Sequence, residues 1–171
     1  MSLADVLASN VLVRWLRGDP GRYDLLTQMI GARLGDRMVA CGAGDPRLIT
    51  ALAKVTGLSG RAVAYAAAPE DAALIVSTAD RAGVLVEVVQ GPPASLPFAD
   101  GDFDLALLDA ASAPIGTLLP EIRRVLRPGG RVVLVVREKV PGAPAPAEVQ
   151  AFTATQFKGA RVLFDRDGYG I

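Results

Sequence analysis

At 171 residues the chain suits one domain with a substantial core, and its 18 basic and 18 acidic residues cancel, which excludes the basic excess of a non-specific nucleic-acid binder. Hydrophobic residues at 51% and charged residues at 21% suit a sheet buried on both faces. A single cysteine, Cys41, excludes an intrachain disulfide and points to a reducing cytoplasm, while the absence of histidine removes imidazole as base or ligand, so no metal site is expected.

Two amphipathic helices come first. Leu3, Val6, Leu7, Val11 and Trp15 recur at three- and four-residue spacing up to the turn Gly18-Asp19-Pro20-Gly21. Leu26, Met29, Ile30 and Arg33 carry a second helix to Gly35. Residues 1–34 thus form a helical segment ahead of an α/β core at 35–171, all in one domain.

Met38-Val39-Ala40-Cys41 is a short apolar strand that stops at Gly42-Ala43-Gly44. Asp45 as N-cap and Pro46 at the first helical position open a helix through Leu48, Ile49, Leu52 and Val55, closed by Gly57 and Gly60. The alternation continues with a strand at 62–66, a helix at 69–82 ended by Gly83, and a third strand at 84–89. The loop Gly91-Pro92-Pro93-Ala94-Ser95-Leu96-Pro97 leads towards a strand at 103–108, a helix at 115–126, the turn Arg127-Pro128-Gly129-Gly130 and a fifth strand at 131–136. A Pro- and Gly-rich loop at 140–146 precedes a helix at 147–157 and a sixth strand at 160–164. Asp167-Gly168 is a hairpin signal that leaves 169–171 as the stub of a seventh strand.

Apolar strands alternating with helices predict a doubly wound, mostly parallel sheet covered on both faces. Ligands of such sheets sit beyond the carboxyl ends of the strands, where strand order reverses. The candidate positions are 41–46, 66–69, 91–96 and 109–113. No run of roughly 18 apolar residues is present to cross a membrane, and the N-terminus lacks a basic flank before an apolar signal core, so export is not expected.

Several motifs now carry a resemblance. The strand running from Gly35-Asp36-Arg37 into Gly42-Ala43-Gly44, then Ser59-Gly60-Arg61 with Pro69-Glu70, resemble the first two motifs of class I S-adenosylmethionine (SAM) dependent methyltransferases. Leu96-Pro97-Phe98-Ala99-Asp100-Gly101-Asp102-Phe103-Asp104 and Arg124-Val125-Leu126-Arg127-Pro128-Gly129-Gly130-Arg131 are similar to that family's approaches to its fourth and fifth strands. The match runs in order over residues 35 to 137 and implies the family's Rossmann-like fold with SAM as cofactor.

The resemblance places Gly42 and Gly44 on the first two glycines of the cofactor loop, Ala66 at the end of strand two, and Leu96 in the wall of the cofactor site. It also shows losses. The third glycine falls on Pro46, the acid near the end of strand one on Ala40, the ribose-binding acid on Ala66, and the acid after strand three on Pro92. A carboxylate on a ribose diol is worth roughly 1.5–3 kcal/mol per hydrogen bond, so SAM binding is expected to be weakened or lost. Asp45 reads as an ordinary cap, yet its charge lies where the family places the SAM carboxylate. Asp109, ending strand four, is the candidate catalytic residue, although an Asp there also starts turns. Cys41 reads as buried filler, since no base neighbours it.

Three functions remain. The first is a methyltransferase acting on a small molecule, with Asp109 orienting or deprotonating the acceptor. The second is a catalytically inactive pseudo-methyltransferase: a regulatory or protein-interaction module that associates as a homodimer or with a protein partner. The third, binding of another nucleotide such as NAD, lacks the third glycine and the ribose acid.

Overall fold

The computed structural model describes residues 20–42, 44–92, 94–110 and 114–137, together with 151, 154–155, 164–165 and 169–170. The first predicted helix, from Leu3 to Trp15, lies outside the described residues, as do most of the predicted 147–157 helix and all of the 160–164 strand except Phe164.

Helix α1 (Pro20–Ile30) begins inside the expected Gly18–Gly21 turn and stops short of the expected Gly35. Proline's fixed φ suits a first helical turn, and Gly31, at φ +70°, ends the helix early. Strand β1 (Arg37–Cys41), helix α2 (Pro46–Thr56), strand β2 (Arg61–Ala66) and helix α3 (Pro69–Ala82) follow as the periodicity predicts.

Strand β3 spans only Glu87–Gln90, shorter than expected. It is the edge strand and pairs with β2 alone, from Val63↔Glu87 to Ala66↔Gln90. Residues 84–86 precede that ladder, with Val84 and Val86 still packed on the core and Leu85 turned to solvent.

Strand β4 (Phe103–Asp109), helix α4 (Ile115–Val125) and strand β5 (Leu126–Arg137) complete the parallel part. The expected Arg127–Gly130 turn lies within β5 as an irregularity: the register jumps from Phe103↔Leu126 to Leu105↔Arg131. Strands β6 (Phe164–Asp165) and β7 (Tyr169–Gly170) pair antiparallel, β7 also pairs antiparallel with β5, and the predicted Asp167-Gly168 turn lies outside the described residues. The order is β3-β2-β1-β4-β5-β7-β6.

Side-chain alternation divides the core between the two faces of the sheet. Val39, Cys41, Tyr65, Ala106 and Leu108 pack against Leu118, Leu119 and Ile122 of α4. Met38, Ala40, Ala64, Leu105 and Leu107 pack against Leu26 of α1, Leu48 and Leu52 of α2, and Ile75 of α3. Among the described residues no helix is long and apolar enough to cross a membrane.

Candidate functional site

Strand order reverses between β1 and β4, which are paired neighbours. The crevice therefore opens beyond Cys41 and Asp109, at the carboxyl ends of these two strands.

The chain leaves β1 through two glycines with positive φ, Gly42 at +94° and Gly44 at +43°. Side chains avoid this region, which is why glycine stands at both positions. The Gly42 amide donates to the Tyr65 carbonyl at 3.2 Å, tying the turn to β2.

Asp45 then caps α2. Its Oδ1 accepts the Arg47 amide at 2.9 Å, and its Oδ2 accepts the Tyr23 hydroxyl of α1 at 2.7 Å. The cap expected from sequence is present. The Tyr23 bond was not legible, because 22 residues separate its partners.

Asp109 follows Leu108, the β4 partner of Cys41. It shares the Leu107 side of the strand, is buried, and sets its carboxylate against Gly44. The space bounded by Ala40, Gly42, Gly44, Asp45, Leu107 and Asp109 is a cavity of about 10 Å³, room for about one water.

The structure thus brings Gly42, Gly44 and Asp109 together. Ala66 stands beside Gly42 at the same carboxyl edge of the sheet, since Cys41 pairs with Tyr65 and the Gly42 amide bonds the Tyr65 carbonyl. Ala66 is wholly buried at the end of β2, in the core beneath α2 and α3, and its carbonyl accepts the Gly91 amide at 3.3 Å. Leu96 is buried in the opposite core, on the α4 side.

Tyr65 explains part of this arrangement. Its hydroxyl lies under the β3–β4 loop, within hydrogen-bond reach of the Pro92 carbonyl at 2.8 Å and the Ser95 carbonyl at 3.1 Å. Its pKa is raised, mainly by burial. Farther along, the Leu96 amide donates to Glu121 Oε2 at 3.0 Å and the Leu96 carbonyl accepts from Arg124 at 2.9 Å. Hydrogen bonds from Arg124 first, and then from the Leu96 amide, lower the Glu121 carboxyl to about 2. Nothing in the sequence pattern alone gives Glu121 and Arg124 a role. Their spacing of three residues on one helix was the available signal.

Cys41 is buried, and desolvation pushes its thiol up to about 12. It is packing. Among the described residues no group of three His, Cys, Asp or Glu side chains could hold a metal ion.

A nucleoside cofactor would meet the glycine turn, the end of β2 and the start of α2 here. The two positive-φ glycines allow close backbone approach. The end of β2, however, offers the methyl group of Ala66, and the N-terminus of α2 already holds the Asp45 carboxylate. Among the described residues Gly42 and Gly44 fit such a group, and Ala66 offers it no polar side-chain atom.

A family model described as a methyltransferase domain matches residues 38–134, more than half of the chain. The chain belongs to this methyltransferase family. It is 34% identical over 114 residues to the 2-phytyl-1,4-naphtoquinone methyltransferase of Synechococcus elongatus, covering 61% of this chain and 47% of that protein. It is 32% identical over 143 residues to the demethylmenaquinone methyltransferase of Beutenbergia cavernae, covering 74% and 58% respectively. The chain spans about half the length of these curated relatives. Among solved structures, a SAM-dependent methyltransferase from Aquifex aeolicus superposes with a TM-score of 0.69 at 20% identity, covering 89% of this chain and 91% of that one. MtNAS, solved with S-adenosylmethionine, gives 0.63 at 21% identity over 88% and 60%. At those identities the likeness shows the fold.

Proposed function

We propose that this chain is a SAM-dependent methyltransferase-family protein that holds its cofactor weakly and acts on a small-molecule acceptor. One observation carries the reading: Ala66 lies fully buried at the end of β2, where a carboxylate would otherwise clasp the ribose. SAM, when bound, supplies an electrophilic methyl group. Gly42 and Gly44 would line its approach, and Asp109 would orient the acceptor or take its proton. The quinone-directed names of the curated relatives favour an apolar aromatic acceptor. The buried thiol of Cys41 supports a reducing, cytoplasmic compartment.

Calorimetric titration with SAM tests this. Loss of charge-assisted hydrogen bonds predicts a dissociation constant on the order of 100 µM or weaker, and submicromolar binding sinks the proposal. Ala66→Asp should tighten SAM by about tenfold while lowering Tm, because a carboxylate would then enter the core without a planned partner.

A second reading has its own observation. The cavity at the glycine turn holds about 10 Å³, and Asp45 already fills the start of α2. This favours an inactive module acting through a homodimer or protein partner. Complete absence of binding at millimolar SAM, with no methylation of quinol acceptors, would select it.

A further inference from the structure

The loop joining β3 to β4 is tied to the body of the protein along most of its length. At its start, the Gly91 amide donates to the Ala66 carbonyl, and the Tyr65 hydroxyl lies between the Pro92 and Ser95 carbonyls. Gly91 is needed there, since a β-carbon would overlap that hydroxyl. In its second half the loop meets α4. The Leu96 amide donates to Glu121, and the Gly101 amide donates to the Arg124 carbonyl at 3.0 Å.

Arg124 is the hub. Its Nε and Nη2 donate to the two Glu121 oxygens at 3.0 and 2.8 Å, and Nη2 also donates to the Leu96 carbonyl. Its Nη1 donates to the Phe98 carbonyl at 2.8 Å and to Asp100 at 2.7 Å. These bonds match the five N–H donors of a guanidinium, whose fixed fork holds the acceptors in one geometry. Phe98, pinned by its carbonyl, packs edge-on against Tyr65 and Phe103, with ring centroids 6.2 and 5.1 Å away.

We propose that Arg124, acting through Glu121 and together with Tyr65, is a positioning residue that anchors the far half of the β3–β4 loop and so fixes residues 91–96 as a rigid rim beside the carboxyl end of β2, without itself touching a ligand. A rim ordered beforehand spares a ligand the entropy of ordering it. The same bonds occupy the Gly91, Leu96 and Gly101 amides and the Leu96 and Phe98 carbonyls, with the Tyr65 hydroxyl on the Pro92 and Ser95 carbonyls. The binding consequence rests on the cofactor reading above; the clamp itself does not.

Hydrogen exchange on the full chain, with SAM titration, tests the proposal in Arg124→Lys and Tyr65→Phe. An ammonium has three donors and no planar fork. Exchange of the amides at 94–101 should rise at least about tenfold in Arg124→Lys, and that at 91–96 in Tyr65→Phe, with β1 and β4 unchanged. SAM affinity should weaken by about fivefold in each, measured well below each variant's Tm. Unchanged loop exchange overturns the proposal. So does loosening that spreads into β1 and β4, or a loosened loop with undiminished affinity. If the wild-type protein binds no SAM, the cofactor reading fails, and the local or global pattern of exchange alone decides the clamp.

Discussion

The Asp109 carboxylate stands so close to Gly44 that a β-carbon on the glycine would lie 3.2 Å from Oδ2. The contact joins the turn after β1 to the end of β4 across the point where strand order reverses. Gly44 is constrained twice, by its φ of +43° and by this neighbour. Gly44→Ala should therefore cost about 1–2 kcal/mol. In Asp109→Ala the second constraint disappears and the first remains. A double-mutant cycle by urea unfolding should show a coupling of about 0.5–1 kcal/mol between the two sites; strictly additive losses would refute the contact.

Asp45 gives a test of cap against charge. Asp45→Ala removes the acceptor for the Arg47 amide and for the Tyr23 hydroxyl, and thermal unfolding should show a loss of about 1–2 kcal/mol. Asparagine caps as well as aspartate, so Asp45→Asn should stay within about 0.5 kcal/mol of wild type. Equal losses in both variants would mean that charge, rather than the cap, matters here.

Acid should weaken the fold partly through Glu121. Its carboxyl falls from an ordinary 4.5 to about 2 because Arg124, and then the Leu96 amide, stabilise the ionised form. A lowered folded-state pKa contributes stability above the unfolded value, and that contribution disappears as pH falls from about 4.5 to about 2. Asp104 is shifted in the same direction, chiefly by the Arg37 amide. Glu121→Gln should flatten the decline in stability across that window and leave part of it to Asp104. The expected difference is on the order of 2 kcal/mol after allowance for partial exposure. A variant whose stability curve parallels wild type through acid would rule this out.

Cys41 should be inert in the native protein. It is 1% exposed, and burial pushes its thiol up to about 12. The thiolate is the reactive form. A disulfide reagent at pH 8 should therefore label it only as fast as the protein opens, and promptly in denaturant. Rapid stoichiometric labelling of folded protein would contradict the packing around β1.

The amino-acid sequence by itself determined the features that depend on neighbours in the chain. Alternating apolar runs and 3.6-residue periodicity specify the α/β sequence of elements, Asp45-Pro46 starts α2, and Gly83 stops α3. Hydrophobic pattern and turn chemistry act over a few residues, so they are visible in order. The motif resemblance made the glycine turn and Asp109 legible as well.

Tertiary structure decided what depends on distant segments meeting. It shortened β3, because an edge strand extends only as far as its single partner pairs with it. It absorbed Arg127–Gly130 into β5, where the β4 ladder continues across the irregularity. It also set Tyr23 on Asp45 and wrapped the β3–β4 loop around Arg124, whose partners there lie up to 28 residues away. Such contacts form when packing of the two sheet faces brings remote side chains within hydrogen-bond reach, and no local periodicity records that meeting.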